Sequence, residues 1–179
     1  MTVYVCLLRA VNVGGRGTIS MAPLAELCRM LGFENVTTVL QSGNVVFTTS
    51  LRGRARIAAT IGEAIKGRFG FRPVVVLRTA AELRGTIAAN PFAGRPDVAP
   101  GRLVAMFLEA APAADGERAL VAAHRGPEEV HVAGSVVFVH YVNGIGRSKL
   151  TGAVIERALG VKGTARNWNT VRKLADALG

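Results

Sequence analysis

Arg147 and Lys149 flank Ser148 in Asn143-Gly144-Ile145-Gly146-Arg147-Ser148-Lys149-Leu150-Thr151, and Arg166-Asn167-Trp168-Asn169-Thr170 follows about one helix later. Glycine turns expose backbone N–H groups, and a helix start adds the positive end of its dipole, so cations beside them make a site for an anion. In this reading Gly144 and Gly146 present the backbone and Ser148 caps a helix over 149–159. Arg147 and Lys149 neutralise a phosphate. Trp168, the chain's single tryptophan, stacks on a ring, with Arg166, Asn167 and Asn169 beside it. Asn169 or Thr170 is expected to cap the final helix. The spacing is not that of a P-loop, and the plainer reading of these residues is a tight turn, two solvated cations and a packing tryptophan.

Two further polar turns join the candidate list. Asn12-Val13-Gly14-Gly15-Arg16-Gly17 follows the first strand, where Asn12, Gly14 and Gly15 are candidates for a ligand loop or for a structural turn. Gln41-Ser42-Gly43-Asn44 separates two short strands. Hairpin geometry accounts for it, and a pocket wall built from Gln41, Ser42 and Asn44 is the sharper alternative. His131 and His140 fall on one face of a hairpin over 129–141 and can lie near each other, but two histidines do not close a metal site. No Cys-His or Ser-His-Asp spacing, HExxH or GxSxG elbow is present. The sequence therefore names no catalytic residue, no metal ligands and no cofactor.

The elements that must position these residues follow from hydrophobic periodicity. Strands are expected over 3–9, 36–40, 45–48 and 74–78, with helices over 20–31, 54–69 and 80–89. The stretch 90–101 holds three prolines and two glycines and reads as a linker. The order then restarts: strand 103–108, helix 116–124, strands 130–133 and 136–141, helix 149–159, an extended piece 164–167 and a last helix 170–178. This is β-α-β-β-α-β twice, an α+β chain of two ferredoxin-like halves (1–89 and 102–179), the second with a reduced last strand. The repeat is one of element order, with no convincing self-similarity at the level of residues. Tyr4-Val5-Cys6-Leu7-Leu8 and Leu103-Val104-Ala105-Met106-Phe107-Leu108 are apolar on both faces. The sheets are therefore expected to be covered, by each other or by a second subunit.

Twenty-two basic against twelve acidic residues give a net charge of +10, and 18 of the cations are Arg. The excess gathers in 52–84, with eight cations against two anions, and in 143–179, with seven against two. Clustered guanidinium groups suit phosphate oxygens. There is no apolar run long enough to span a membrane and no signal-peptide pattern at Met1, so the expected location is cytoplasmic. Cys6 and Cys28 fit that compartment as small buried hydrophobes.

Leu7-Leu8-Arg9-Ala10-Val11-Asn12-Val13-Gly14-Gly15, Gln41-Ser42-Gly43-Asn44-Val45-Val46-Phe47 and Asn90-Pro91-Phe92 resemble motifs of the bacterial domain-of-unknown-function family 1697. So do Gly144-Ile145-Gly146-Arg147-Ser148-Lys149-Leu150-Thr151 and Thr164-Ala165-Arg166-Asn167-Trp168-Asn169-Thr170-Val171. Where that family commonly has Lys or Asn after its second glycine, this chain has Arg16-Gly17. The resemblance implies an α+β fold with ferredoxin-like halves and brings no activity, substrate or catalytic residue. Residues and resemblance together lead to one expectation, a cytoplasmic protein that binds a nucleotide or nucleic acid through its phosphate. A homodimeric interaction module and an enzyme using the same loops are the alternatives. No membrane partner is expected.

Overall fold

The structure is a computed structural model that describes residues 1–15 and 17–179; Arg16, inside the glycine-rich loop, lies outside the described residues. The first half runs β1 (Thr2–Leu8), α1 (Met21–Met30), β2 (Glu34–Thr38), β3 (Asn44–Thr49), α2 (Arg54–Phe69), β4 (Val75–Thr79) and α3 (Ala80–Ala88). The second runs β5 (Leu103–Leu108), α4 (Gly116–Ala123), β6 (Glu129–Ala133), β7 (Val136–His140), α5 (Gly152–Leu159), β8 (Gly163–Asn167) and α6 (Trp168–Asp176). Each half has one four-stranded antiparallel sheet, in the orders β2-β3-β1-β4 and β6-β7-β5-β8. These are the two ferredoxin-like halves. The expected shortening of the last strand is not found: β8 has five residues, as β4 has, and pairs with β5 from Val104↔Asn167 to Leu108↔Gly163.

Side-chain alternation sets what each face of a sheet does. In the first half Tyr4, Cys6 and Leu8 join Phe47 and Leu77 under Leu24 and Cys28 of α1 and Ile57, Ile61 and Ile65 of α2. In the second, Val104, Met106 and Leu108 join Val137 and Val139 under Leu120 of α4 and Ile155 and Leu159 of α5. The alternate residues Val5, Leu7, Ala105 and Phe107 are buried as well. The central strands are thus apolar on both faces, as their sequences require. Cys6 and Cys28 are free and buried. Burial pushes the Cys28 thiol up to about 11, against the opposing pull of Arg29, which removes it as a nucleophile at neutral pH.

The chain divides into two compact units, Met1–Gly85 with Lys173–Gly179, and Thr86–Arg172. Within the first, an Arg84 guanidinium nitrogen donates to the carbonyl oxygen of Gly179 at 3.0 Å.

The halves also repeat at the level of residues, which periodicity did not reveal. Arg78 of β4 stands opposite Val5, and Arg166 of β8 opposite Ala105, at the same step of each central strand. Both arginines are buried, 3% and 8% exposed. Each donates from Nη1 to the carbonyl of the residue before it, Leu77 or Ala165, at 2.9 Å. Each is followed by a residue that caps the next helix. Thr79 accepts the Glu82 N–H at 3.2 Å while the Glu82 carboxylate accepts the Thr79 N–H at 2.8 Å, a reciprocal capping box. Asn167 Oδ1 accepts the Thr170 N–H at 3.0 Å. The cap of the last helix is therefore Asn167, not Asn169 or Thr170.

One turn requires glycine for two reasons. Gly43 has φ +73°, and a Cβ there would stand 3.0 Å from Leu8 Cβ and 3.2 Å from Val11 Cβ. Gly134, with φ +57°, has open space around it. Gly134→Ala is expected to lose about 1 kcal/mol from the backbone conformation alone, and Gly43→Ala about 1–3 kcal/mol. Urea denaturation of both variants checks this; equal losses would show that the contacts at position 43 relax away.

Candidate functional site

Strand direction decides which loops meet. Because β1 is antiparallel to β3 and β3 to β2, the loop after β1 and the β2–β3 turn lie at one end of the first sheet. The α1–β2 and β3–α2 connections lie at the other. The second sheet repeats this, with β5, β7 and β6 related in the same way.

In the first unit the candidate residues gather at the end shared by the loop after β1 and the β2–β3 turn. Asn12 Nδ2 donates to the carbonyl oxygens of Gln41 at 2.7 Å and Ile19 at 2.9 Å, and its Oδ1 accepts the Ile19 N–H at 2.8 Å. Asn44 is fully buried and donates to Val39 O and to Ser42 Oγ, each at 2.8 Å. Asn12 thus ties the two turns together, and Asn44 holds the β2–β3 turn from within. Gln41, Gly14 and Gly15 are exposed at the rim, and Gly14 and Gly15 hold positive φ.

In the second unit the β7–α5 and α4–β6 connections meet at the opposite end, and here both are long. Residues 141–151 and 124–128 occupy the places taken in the first half by 50–53 and 31–33. The loop 141–151 is pinned at several points. The Tyr141 hydroxyl donates to Leu150 O at 2.9 Å, and Leu150 is buried in the core beneath α5. Arg102 donates to Val142 O at 2.6 Å. Ser148 Oγ accepts the Leu150 N–H at 3.0 Å. Burial, with the charge of Glu128 nearby, pushes the Tyr141 hydroxyl up to about 12, so it remains a donor.

The helix itself starts later than expected. Gly152 is its first residue and Thr151 its cap, accepting the Val154 N–H. Ser148 instead closes a turn two residues long, and residues 145–147 form a 3-10 turn opened by Gly144 at φ +86°. A buried Leu150 explains the shift: the chain must dip into the core before α5 can begin.

Arg147 and Lys149 line a cavity of about 610 Å³ with Arg125, Arg157 and the residues of 122–128. Gly144, Gly146 and Ser148 shape the loop without lining the cavity. Among the described residues none of its four cations lies within ion-pair distance of a carboxylate, whereas Arg54, Arg68, Arg72, Arg95 and Arg118 all do. The one acid in the lining, Glu128, faces His124 at 3.0 Å, Oε2 to Nε2. This pair was missed in the sequence. Its visible signal is His124-Arg125-Gly126-Pro127-Glu128, a turn that brings two side chains four residues apart back over one glycine. A Cβ on Gly126 would stand 2.1 Å from Glu128 Oε2 and 2.5 Å from His124 Cε1.

Trp168 is not part of that cavity. It lines a second one of about 290 Å³ with Phe92, Arg95, Leu103 and Arg172. The indole is 9% exposed and sits 6.1 Å from the Phe138 ring, tilted by 56°. It is a packing anchor rather than an open stacking platform. Arg166 is held by Thr164 Oγ1 at 2.7 Å and by Ala165 O, and Asn167 is used as a cap. Asn169 is exposed. The two clusters that the sequence placed in one site thus line different cavities.

His131 and His140 meet different carboxylates. His131 Nδ1 lies 3.1 Å from Glu117 and His140 Nδ1 2.9 Å from Glu129. Glu129 also accepts from Arg95, at 2.7 and 3.0 Å, and Arg95 reaches Asp97 at 3.1 Å. Hydrogen bonds from Arg95 and then His140 hold the Glu129 carboxyl below its ordinary range, and Arg95 does the same to Asp97. The folded chain therefore binds fewer protons at these groups than the unfolded chain does. Their contribution to stability is complete above the ordinary carboxylate range, about pH 4, and is lost as the pH falls through the depressed values. Glu129→Gln is expected to flatten the acid limb of a stability profile taken between neutral and acid pH. A limb of unchanged slope would show that this exposed network contributes nothing.

No curated protein matches this chain. A solved structure, "The structure of conserved bacterial protein SP0830 from Streptococcus pneumoniae", is similar over 99% of both chains, with a TM-score of 0.75 and 21% identity, and so shares the fold. No helix among the described residues is long and apolar enough to cross a membrane. The model of the family described as "Protein of unknown function (DUF1697)" matches residues 1–138, which include 124–128 and stop short of Arg147 and Lys149. With its two antiparallel sheets and that match over most of its length, the chain belongs to the DUF1697 family.

Proposed function

We propose that this protein binds a small phosphate-bearing ligand, of nucleotide size, in the cavity between 122–128 and 147–157. One observation carries the reading: Arg125, Arg147, Lys149 and Arg157 converge on one concave space without carboxylate partners among the described residues. Like charges gathered around a cavity raise each other's energy. An anion with several oxygens relieves that repulsion and gains charge-assisted hydrogen bonds. The volume, about 610 Å³, is in the range of small-molecule sites. A nucleic acid is favoured instead by a basic stripe along a surface, and the four cations sit in a pocket. The glycine-rich turn 12–17 and the hairpin turn at Gln41 are structural in this reading, because Asn12 and Asn44 are consumed internally.

Isothermal titration with inorganic phosphate, pyrophosphate and ATP is the direct test, with a short RNA as the competing class. Each charge-assisted contact contributes about 1.5–3 kcal/mol, so Arg147→Ala combined with Lys149→Ala is expected to weaken binding by ~10-fold or more. Arg172→Ala, in the other cavity, is expected to leave it unchanged. Binding of RNA alone, disappearing with added salt, would reduce the site to the general electrostatics of a +10 chain. Absence of binding by phosphate, pyrophosphate and ATP would end the proposal.

A further inference from the structure

The cation-lined cavity holds something that binding alone does not require. The His124 and Glu128 side chains are only 8% and 6% exposed, although their loop is at the surface. His124 Nε2 is buried, faces the Glu128 carboxylate at 3.0 Å, and makes no aligned hydrogen bond among the described residues. The other ring nitrogen, Nδ1, makes no hydrogen bond among the described residues. One nitrogen thus has a carboxylate behind it and the other has no partner among the described residues, in a residue that lines the cavity. A histidine that only filled space would not need a buried acid at its back. Gly126 keeps the arrangement possible, since a Cβ at that position would occupy the place of the Glu128 carboxylate.

We infer that the cavity is a hydrolytic site for phosphate esters, with His124 as the proton-transfer group, Glu128 as its positioning residue, and water as the second substrate. This rests on the phosphate-binding reading above. In the step, the water oxygen forms a bond to phosphorus while its proton passes to His124 Nδ1. The bond from phosphorus to the ester oxygen breaks, and that oxygen leaves with the proton returned from the imidazolium. The products are the alcohol and the phosphate, and the enzyme ends as it began. Arg125, Arg147, Lys149 and Arg157 stabilise the charge that gathers on the non-bridging oxygens. The carboxylate stabilises the imidazolium formed on the way and holds the resting proton on Nε2, leaving Nδ1 as the acceptor. Misalignment of the imidazole and carboxylate without substrate is ordinary for such pairs, which tighten when the site is filled.

The test uses the full chain with p-nitrophenyl phosphate, bis(p-nitrophenyl) phosphate and ATP, following release of nitrophenol or phosphate, beside calorimetry with inorganic phosphate. Turnover by the wild type is expected. His124→Gln should lower kcat by on the order of 10²–10⁴-fold, the range of general acid–base catalysis, while phosphate affinity stays the same. Glu128→Gln should lower kcat and move the pH profile, which a merely structural role would not do. Gly126→Ala is a second route to the same end, displacing the pair without removing either member. Circular dichroism confirms that each variant is folded. Phosphate binding without turnover of either nitrophenyl ester or of ATP, the anhydride, overturns the inference and leaves the binding reading standing. Turnover unaffected by both His124→Gln and Gly126→Ala also overturns it. Neither binding nor turnover removes both readings together.

Discussion

The antiparallel pairing of each central strand with both neighbours is the constraint from which the rest of this structure follows. β1 lies between β3 and β4, and β5 between β7 and β8. Once those directions are set, the ends of the strands fix which loops can meet. The loop after β1 must meet the β2–β3 turn, and Asn12 stitches them. The α4–β6 connection must meet the β7–α5 connection, and the charged cavity lies between them. With β1 and β5 apolar on both faces, polarity alone does not set their register; the packing of individual side chains on each buried face does.

Within that frame the two halves use their loops differently. At the equivalent end of the first half, Gly32 and the short stretch 50–53 turn the chain with little to spare. In the second half the chain is long enough to carry Arg125, Arg147 and Lys149 out beyond the sheet, with Tyr141 and Leu150 holding the loop from beneath. Length alone would give a loose loop. The hydroxyl-to-carbonyl bond from Tyr141 to Leu150, the burial of Leu150 and the Thr151 cap give it a fixed course, and fixed positions are what a set of like charges needs to act on one ligand.

Much of the fold was legible in the sequence because its signals are local. The limits of α2 follow from Gly53 and Gly70, and β5 from an unbroken apolar run. The start of α5 was misread because Ser148 is a good cap in isolation. The residue that decides the matter, Leu150, is apolar in a way that fits either a helix face or an anchor. The match between Arg78 and Arg166 escaped notice because periodicity treats arginine as surface, so a buried position at which the halves agree residue for residue looked like noise. His124 and Glu128 were invisible as a pair because their approach depends on a turn over Gly126. Trp168 was grouped with Arg147 and Lys149, whose cavity it does not line, because proximity along the chain says nothing about which way an indole points.

The division of the chain bears on the order in which it can fold as it is made. All four strands of the first sheet have been synthesised by Thr79, so that sheet can close early. Its compact unit nevertheless includes Lys173–Gly179, with the Arg84 guanidinium on Gly179 O. Those residues emerge from the ribosome only after every strand of the second unit. The unit begun first is therefore completed last, and for the whole interval between Gly85 and Lys173 it must persist without its closing segment. Nascent chains fold domain by domain as they appear. Here the first of the two waits on the translation of the second.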